Sequence, residues 1–333
     1  MKKMKSVILA MFLISVVSLY VFIFVVPDVT GAMKKTKVLE FGRLSLVDDV
    51  TGYFVRNETV YLANHSGEVA YYVGEGVKTR KGVRLLDVLP EDVPTTTPGG
   101  AYADILERMN GSGVTQEVDA ATRTGVVSYF IDGYEKVFSP DRLDFLTSGE
   151  AISVTGQVLN VTRHEGMFAN AGEPLYKMVD DSEWYLVFWL SKDSGDIVGY
   201  TPGEKVTAKL PRGDIPGKVN RALDQGDAWL VVLEFGRYYE NLAQLRKVEM
   251  TVVTDEYEGL ILDNGSITAV DDRSGVYVKR KSGDFAFVPV KIKKSNGTSS
   301  AVWEGSFSDE EGKSVTTVKA YDEILLDPSE AEF

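Results

Sequence analysis

The sequence predicts a mainly β protein carried behind a single N-terminal transmembrane helix. Three observations carry that expectation. Lys2, Lys3 and Lys5 precede Ser6–Val26, a stretch without a charged residue. Beyond it, alternating or β-branched runs bounded by Gly, Asp-Gly and Asn-Gly recur along the chain. One of these runs is written twice, as "SGEVAYYV" from Ser66 and "TGVVSYFI" from Thr124, so that Gly67, Val69, Tyr71 and Val73 answer to Gly125, Val127, Tyr129 and Ile131.

The apolar stretch 6–26 is long enough to cross a bilayer, which takes about 20 residues, and it exceeds the core of a typical secretory signal. Only Thr30–Ala32 offers a cleavage-like site. Lysines flank the stretch on both sides, at 2, 3 and 5 and at 34, 35 and 37. The short leading tail, 1–5, and the lack of a later apolar span place the N-terminus in the cytoplasm and residues 27–333 outside the cell membrane. Six Asn-x-Ser/Thr sequons, at Asn57, Asn64, Asn110, Asn160, Asn264 and Asn296, read as turn text.

The strand runs are "YFVRNETVYLA", "AISVTGQVLNV", "WYLVFWL", "EKVTAKL", "AWLVVLEF", "KVEMTVV", "GVYVKR" and "FAFVPVKI". Helices are few and short. "GGAYADILERM" ends near Met109; "SPDRLDFLTS" has Ser139 as N-cap and Pro140 at the first helical position; "SKDSGDIVGY" is a third. The segment 84–119, broken by Pro90, Pro94, Pro98, Gly99 and Gly100, separates the two copies of the repeated strand and carries few apolar anchors. A second insert, 134–167, follows the second copy. The repeat predicts two halves of one sandwich, neither able to bury its apolar face alone. Val69 should then share a core with Val127, and Val73 with Ile131.

Composition excludes several function classes. There is no cysteine, hence no disulfide, thiolate or Cys-ligated metal. The net charge of −13 disfavours nucleic acid as a partner. No lysine occurs between Gly82 and Glu135, where a lipoyl or biotinyl arm would sit, and Lys177 in "LYKMVD" falls within a strand of the second half. His65 and His164 are not spaced for one metal. "EEGKS" lacks the first glycine of a phosphate loop, having Phe307 there. The acidic pairs Asp48–Asp49, Asp180–Asp181, Asp271–Asp272 and Asp309–Glu311 read as solvated turns, and Tyr71, Tyr72, Tyr129 and Phe130 as packing rather than a ligand groove. No catalytic, cofactor-binding or metal site is expected, and the chain is not expected to be an enzyme.

Three passages resemble the HlyD-like membrane-fusion or periplasmic adaptor family. "NETVYLANHSGEVAYYVGEGVKTRKGVRLLDV" resembles the first half of that family's barrel-sandwich hybrid, the lipoyl-like module. "DAATRTGVVSYFIDGYEKV" with "NAGEPLYKMVDDSEWYLVFWLSKDSGDIVGYTPGEKVTAKLP" resembles the second half running into a β-barrel. "YEGLILDNGSITAVDDRSGVYVKRKSGDFAFVPVKI" resembles the closing strands that build a membrane-proximal domain. The resemblance implies a cytoplasmic tail (1–5), the anchor (6–26), a juxtamembrane linker with first strands (27–58), a barrel-sandwich hybrid (59–178) with inserts at 84–119 and 134–167, a β-barrel (179–258), and a membrane-proximal β domain with an acidic tail (259–333). It also implies a non-enzymatic efflux or secretion accessory subunit that meets an inner-membrane transporter and can form a homo-oligomer. The alternative is a cell-envelope or division scaffold reusing the fold. The long α-helical hairpin of adaptors that bridge two membranes is absent from 84–119, because each interior proline costs a helix about 3 kcal/mol. The form fits the short members of Gram-positive bacteria.

Overall fold

The computed structural model describes residues 2–21, 34–90, 102–115, 119–154, 167–192 and 199–331. The chain divides into two compact units, one of Val47–Thr254 and one of Met1–Leu46 with Asp255–Phe333. Both are mainly β.

The first unit contains a sandwich and a barrel that share their longest strands. In the sandwich, Gly67–Tyr71 lies between Leu86–Pro90 and Met167–Ala169 in a three-stranded sheet. The opposing sheet pairs residues 174–179 of the strand Pro174–Ser191 with the end of Phe41–Leu62 on one side and with Gly125–Ser128 on the other. Between the sheets lie Tyr61, Val69, Leu85, Leu86, Val127, Tyr129, Tyr176 and Met178. Val69 and Val127 therefore do share one core, and Tyr71 meets Tyr129 edge to face at 4.9 Å.

The second expected pair is corrected. Val73 packs against the sandwich core, but Ile131 lies in a separate cluster with Val60, Ile105 and Met109. The strand Gly125–Ser128 ends before Ile131, so the chain has turned away by the time it reaches that residue.

The two repeat glycines have one physical cause. A Cβ on Gly67 would collide with the backbone oxygen of Leu89, and one on Gly125 would lie 2.6 Å from the backbone oxygen of Val179. In each copy a neighbouring strand crosses where the side chain would be, which only glycine permits. Gly125→Ala is accordingly expected to destabilise the sandwich by about 1–3 kcal/mol, the usual cost of overpacking, read as a lower urea midpoint.

In the barrel, Phe41–Leu62 pairs with Pro174–Ser191, and the path continues through Ala228–Phe235, Gly213–Asp224, Lys205–Leu210 and Lys247–Asp263 back to Phe41–Leu62. Closure removes free edges. Inward side chains include Phe54, Trp184, Leu186, Phe188, Val231, Leu233 and Phe235. "WYLVFWL" is apolar at every position because its other face is covered too. Tyr53, Val55, Tyr185 and Val187 pack under Phe138, Leu143, Leu146 and Ala151 of the second insert.

That insert is shorter in helix than expected. "SPDRLDFLTS" forms one 3-10 turn, Pro140–Arg142, and the next helix, Ser148–Ile152, starts from a capping box between Thr147 and Glu150. The expected strand "AISVTGQVLNV" is overturned at its start, where Ala151 and Ile152 complete this helix; residues 155–161 of it lie outside the described residues. So does 193–198 of the expected third helix.

The first insert also has more anchors than the sequence suggests. Leu86–Pro90 is a sandwich strand, and the helix Ala103–Met109 buries Ile105 and Met109 against Val60 and Ile131. Val114 exchanges backbone hydrogen bonds with Val60 and Leu62. Replacing 90–113 with a Gly/Ser linker uncovers that cluster, and Ile105→Ala alone is expected to cost about 2–5 kcal/mol in chemical denaturation.

The second unit has a five-stranded sheet in which Thr36–Val38 pairs with Glu323–Leu325, bringing the early and late chain together. Residues 260–263 of Lys247–Asp263, Ser299–Val302 and Ile292–Ser295 form further pairs. Leu39, Leu260, Leu262, Val276, Val302 and Ile324 fill the core. N-terminal to it, Lys2–Tyr20 is a helix whose apolar side chains from Met11 to Val21 are exposed. The expected span Ser6–Val26 lies partly outside the described residues, at 22–26, and among the described residues no helix is long and apolar enough to cross a membrane.

Candidate functional site

The residues singled out as site candidates on sequence remain scattered in the fold. His65 has its Nε2 2.9 Å from the Val88 carbonyl oxygen, and His164 lies outside the described residues. Asp48 accepts from the Tyr200 hydroxyl, Asp180 from Ser182, and Asp309 from the backbone N–H groups of Glu311 and Lys313. Asp271 and Asp272, both with positive φ, form the tight turn between Thr268–Val270 and Arg273–Lys279. Among the described residues no group of three or more His, Asp or Glu is placed to hold a metal. Tyr129 is buried, its hydroxyl donating to the Val73 carbonyl, whereas Tyr72 is exposed with its hydroxyl on Asp87.

What the fold does bring together is a set of charges that sequence reading passed over. Arg56 and Glu58 come from Phe41–Leu62, Asp132 and Glu135 from the segment after Gly125–Ser128, Lys177 from Pro174–Ser191, and Arg246 from the turn before Lys247–Asp263. Five of them are buried, none more than 5% exposed, and Glu58, half-buried as a residue, has a side chain with no exposure. A buried charge survives only when paired and hydrogen-bonded.

The pairing is dense around Glu58. Arg56 Nε donates to Glu58 Oε1 at 3.0 Å, Lys177 Nζ lies 2.7 Å from the same oxygen, and Arg246 Nη2 reaches Oε2 at 2.5 Å. Arg246 also donates through Nε to Asp132 Oδ2 at 2.8 Å and through Nη2 to Oδ1 at 3.2 Å, a two-toothed grip. Its Nη1 reaches the Phe54 carbonyl at 3.2 Å. Arg56 spends its remaining donors on the carbonyls of Leu245 and Ala243. Glu135 is served less well. Its Oε1 accepts from the Asp132 N–H at 3.1 Å and has Lys177 Nζ at 3.4 Å, while its buried Oε2 has no partner among the described residues.

The electrostatics follow that geometry. Burial pushes the Glu58 carboxyl up, but Arg246, Arg56 and Lys177 outweigh it and hold the group at about 2. Burial likewise opposes ionisation of Asp132, and Arg246 with Lys177 holds it well below the usual carboxylate range. Burial, reinforced by Asp132, pushes Glu135 up to about 7.

Glu58 has its folded value depressed below the ordinary 4.5, so the stability it contributes is present above pH 4.5 and is lost as pH falls toward 2. Thermal unfolding should therefore show a steep loss of stability below about pH 4, and Glu58→Gln should flatten that acid limb.

Sequence reading had two signals for this site. Arg56 interrupts the apolar run Tyr53–Val55, and Lys177 stands between Tyr176 and Met178 in a buried strand. Charges at core positions of strands call for partners. Which partners they find is set by tertiary contact.

The chain matches two family models: "RND related, barrel-sandwich hybrid domain" over residues 58–180 and "RND related, beta-barrel domain" over 184–256. Together they cover more than half of its length. No curated protein matches it in sequence. Among solved structures, one similar chain is MacA from Actinobacillus actinomycetemcomitans, at 11% identity and TM-score 0.39, covering 88% of this chain and 99% of that one. Another is ZneB from Cupriavidus metallidurans, at 11% identity and TM-score 0.31, covering 88% and 92%. A third is the membrane fusion protein Spr0693 from Streptococcus pneumoniae R6, at 11% identity and TM-score 0.28, covering 62% and 99%.

Proposed function

Because the chain belongs to the HlyD-like adaptor family, through its RND-related barrel-sandwich hybrid and β-barrel domains, we propose that it is a membrane-anchored, extracytoplasmic adaptor. It works without catalysis, as an accessory subunit in contact with an inner-membrane transporter. The observation that carries this reading is the tandem of sandwich and barrel locked together by the buried charges. Glu58, Asp132, Glu135 and Lys177 lie in the segment matched as sandwich, and Arg246 in the segment matched as barrel. An adaptor must hold one module in a fixed attitude to the next while each meets a partner, and a buried, two-toothed Arg246–Asp132 pair supplies that fixity.

The anchor in this proposal is the stretch Ser6–Val26, N-terminus inside. The exposed apolar side chains of residues 11–21 support it. The protein is expected to stay with membranes through carbonate extraction, and Leu13→Arg to cost about 2.5–3.5 kcal/mol of insertion. Release of the unaltered protein into the carbonate supernatant would contradict the anchor.

Affinity purification of the full chain from its native membranes tests the role itself. Recovery of a polytopic transporter in fixed ratio is expected. Recovery of envelope-assembly or division proteins without a transporter would favour the scaffold reading instead.

A further inference from the structure

The charges of the buried network are shared unequally. Three cations, Arg56, Lys177 and Arg246, converge on Glu58, and Arg246 also grips Asp132. Glu135 is left with the longer contact to Lys177, whose ammonium is 2.7 Å from Glu58 against 3.4 Å from Glu135. Its second oxygen, Oε2, has no hydrogen-bond partner among the described residues, although the residue is only 4% exposed.

The surroundings do not favour its charge. Glu135 lines a cavity of about 120 Å³ with Glu58, Asp141 and the exposed Lys136, and the two other carboxylates add negative potential. Asp132 is on its own segment, with its N–H on Glu135 Oε1. The cations facing it are Lys177 from Pro174–Ser191 and Arg246 from the turn before Lys247–Asp263, both already engaged by other carboxylates, and Lys136, which is exposed. From the helix Ala103–Met109, Arg108 donates to the Asp132 carbonyl and lies 5.2 Å over the Tyr134 ring. Burial and Asp132 together raise the Glu135 carboxyl to about 7, in keeping with this geometry.

The position of Glu135 matters more than its charge alone. It sits on the segment that also carries Asp132, the partner of Arg246, and Phe138, whose carbonyl accepts from the Arg56 N–H. Displacing this segment loosens the contact between sandwich and barrel.

We propose that Glu135 is a proton-operated catch at the joint between sandwich and barrel. Protonated, it lets the segment 129–139 stay seated on Lys177 and Arg246. Ionised, it repels Asp132 and Glu58 and loosens the segment, and with it the joint. The sign is that of a carboxyl whose folded value is raised: its stabilising contribution is full below pH 4.5 and is lost as pH rises through about 7.

Hydrogen exchange of the full chain in detergent micelles tests this, with rates corrected for intrinsic pH dependence. Protection of amides in 129–139 and 242–247 is expected to fall at least tenfold or so between about pH 6 and about pH 8.5, with the second unit unchanged. Glu135→Gln should hold the high protection at both values. Lys177→Met is a second variant, because removing the ammonium should raise the midpoint of the loss by about one pH unit or more. Flat protection in the unaltered chain, a pH response that survives in a folded Glu135→Gln chain, or an unmoved midpoint in Lys177→Met would each overturn the catch.

Discussion

Arg246→Met is expected to cost the folded chain about 3–5 kcal/mol, the price of breaking a buried ion pair and stranding its partners. The guanidinium holds two carboxylates at once, Glu58 at 2.5 Å and Asp132 at 2.8 Å, and satisfies the Phe54 carbonyl as well. Methionine fills much of the volume and supplies none of those donors. Glu58 keeps Arg56 and Lys177 and remains ionised, whereas Asp132 loses its two-toothed partner while still buried. The damage should therefore fall on the segment carrying Asp132. A urea titration followed by far-ultraviolet circular dichroism reads the loss as a lower midpoint. Arg246→Lys should recover only part of it, since an ammonium cannot span both oxygens of Asp132 and reach Glu58.

Trp184→Ala should cost a similar amount, about 3–5 kcal/mol, by a different route. Its indole is fully buried in the barrel core, stacked on Phe235 at 4.5 Å and tilted against Phe54 at 5.6 Å and Tyr239 at 6.2 Å. Its Nε1–H donates to the Arg237 carbonyl at 2.9 Å. Truncation leaves a cavity between three aromatic rings and an unpaired carbonyl. Trp184→Phe keeps part of the stacking but loses the hydrogen bond and the volume of the second ring, so it should cost less than the alanine variant, about 1–3 kcal/mol.

Much of the architecture is legible in the residues themselves. The repeated strand marks the sandwich because Gly67 and Gly125 must admit a crossing backbone, and Val69 and Val127 must fill one core. The barrel strands are legible because their apolar runs have the length and bounding turns of strands. The insert 134–167 was harder to read. Phe138, Leu143 and Leu146 look like an isolated helical pattern, and what they cover, the outer face of "WYLVFWL", is known only once the barrel closes. Ala151 and Ile152 carry β-favouring neighbours, yet the Thr147–Glu150 capping box commits them to a helix. Local capping outweighed strand propensity there.

The charge network was the least legible part. Arg56 and Lys177 stand out in strand text, but Asp132, Glu135 and Arg246 look like ordinary turn residues. They become a site only because Pro174–Ser191 and Phe41–Leu62 each run unbroken through sandwich and barrel and so bring distant turns to one place. Pairing between residues so far apart in sequence leaves no periodic trace.

A double-mutant cycle between Arg246→Met and Asp132→Asn tests most directly whether buried charge welds sandwich to barrel. Asparagine keeps an acceptor for the Tyr134 N–H, while its amide nitrogen takes the place of the oxygen that accepts from Arg246 Nε, so the variant removes the charge and that hydrogen bond. A coupling of about 2–3 kcal/mol between the two substitutions is expected, at the upper end for residues in contact. Additivity to within about 0.5 kcal/mol would contradict the account, because the two modules would then be held together by something other than this pair.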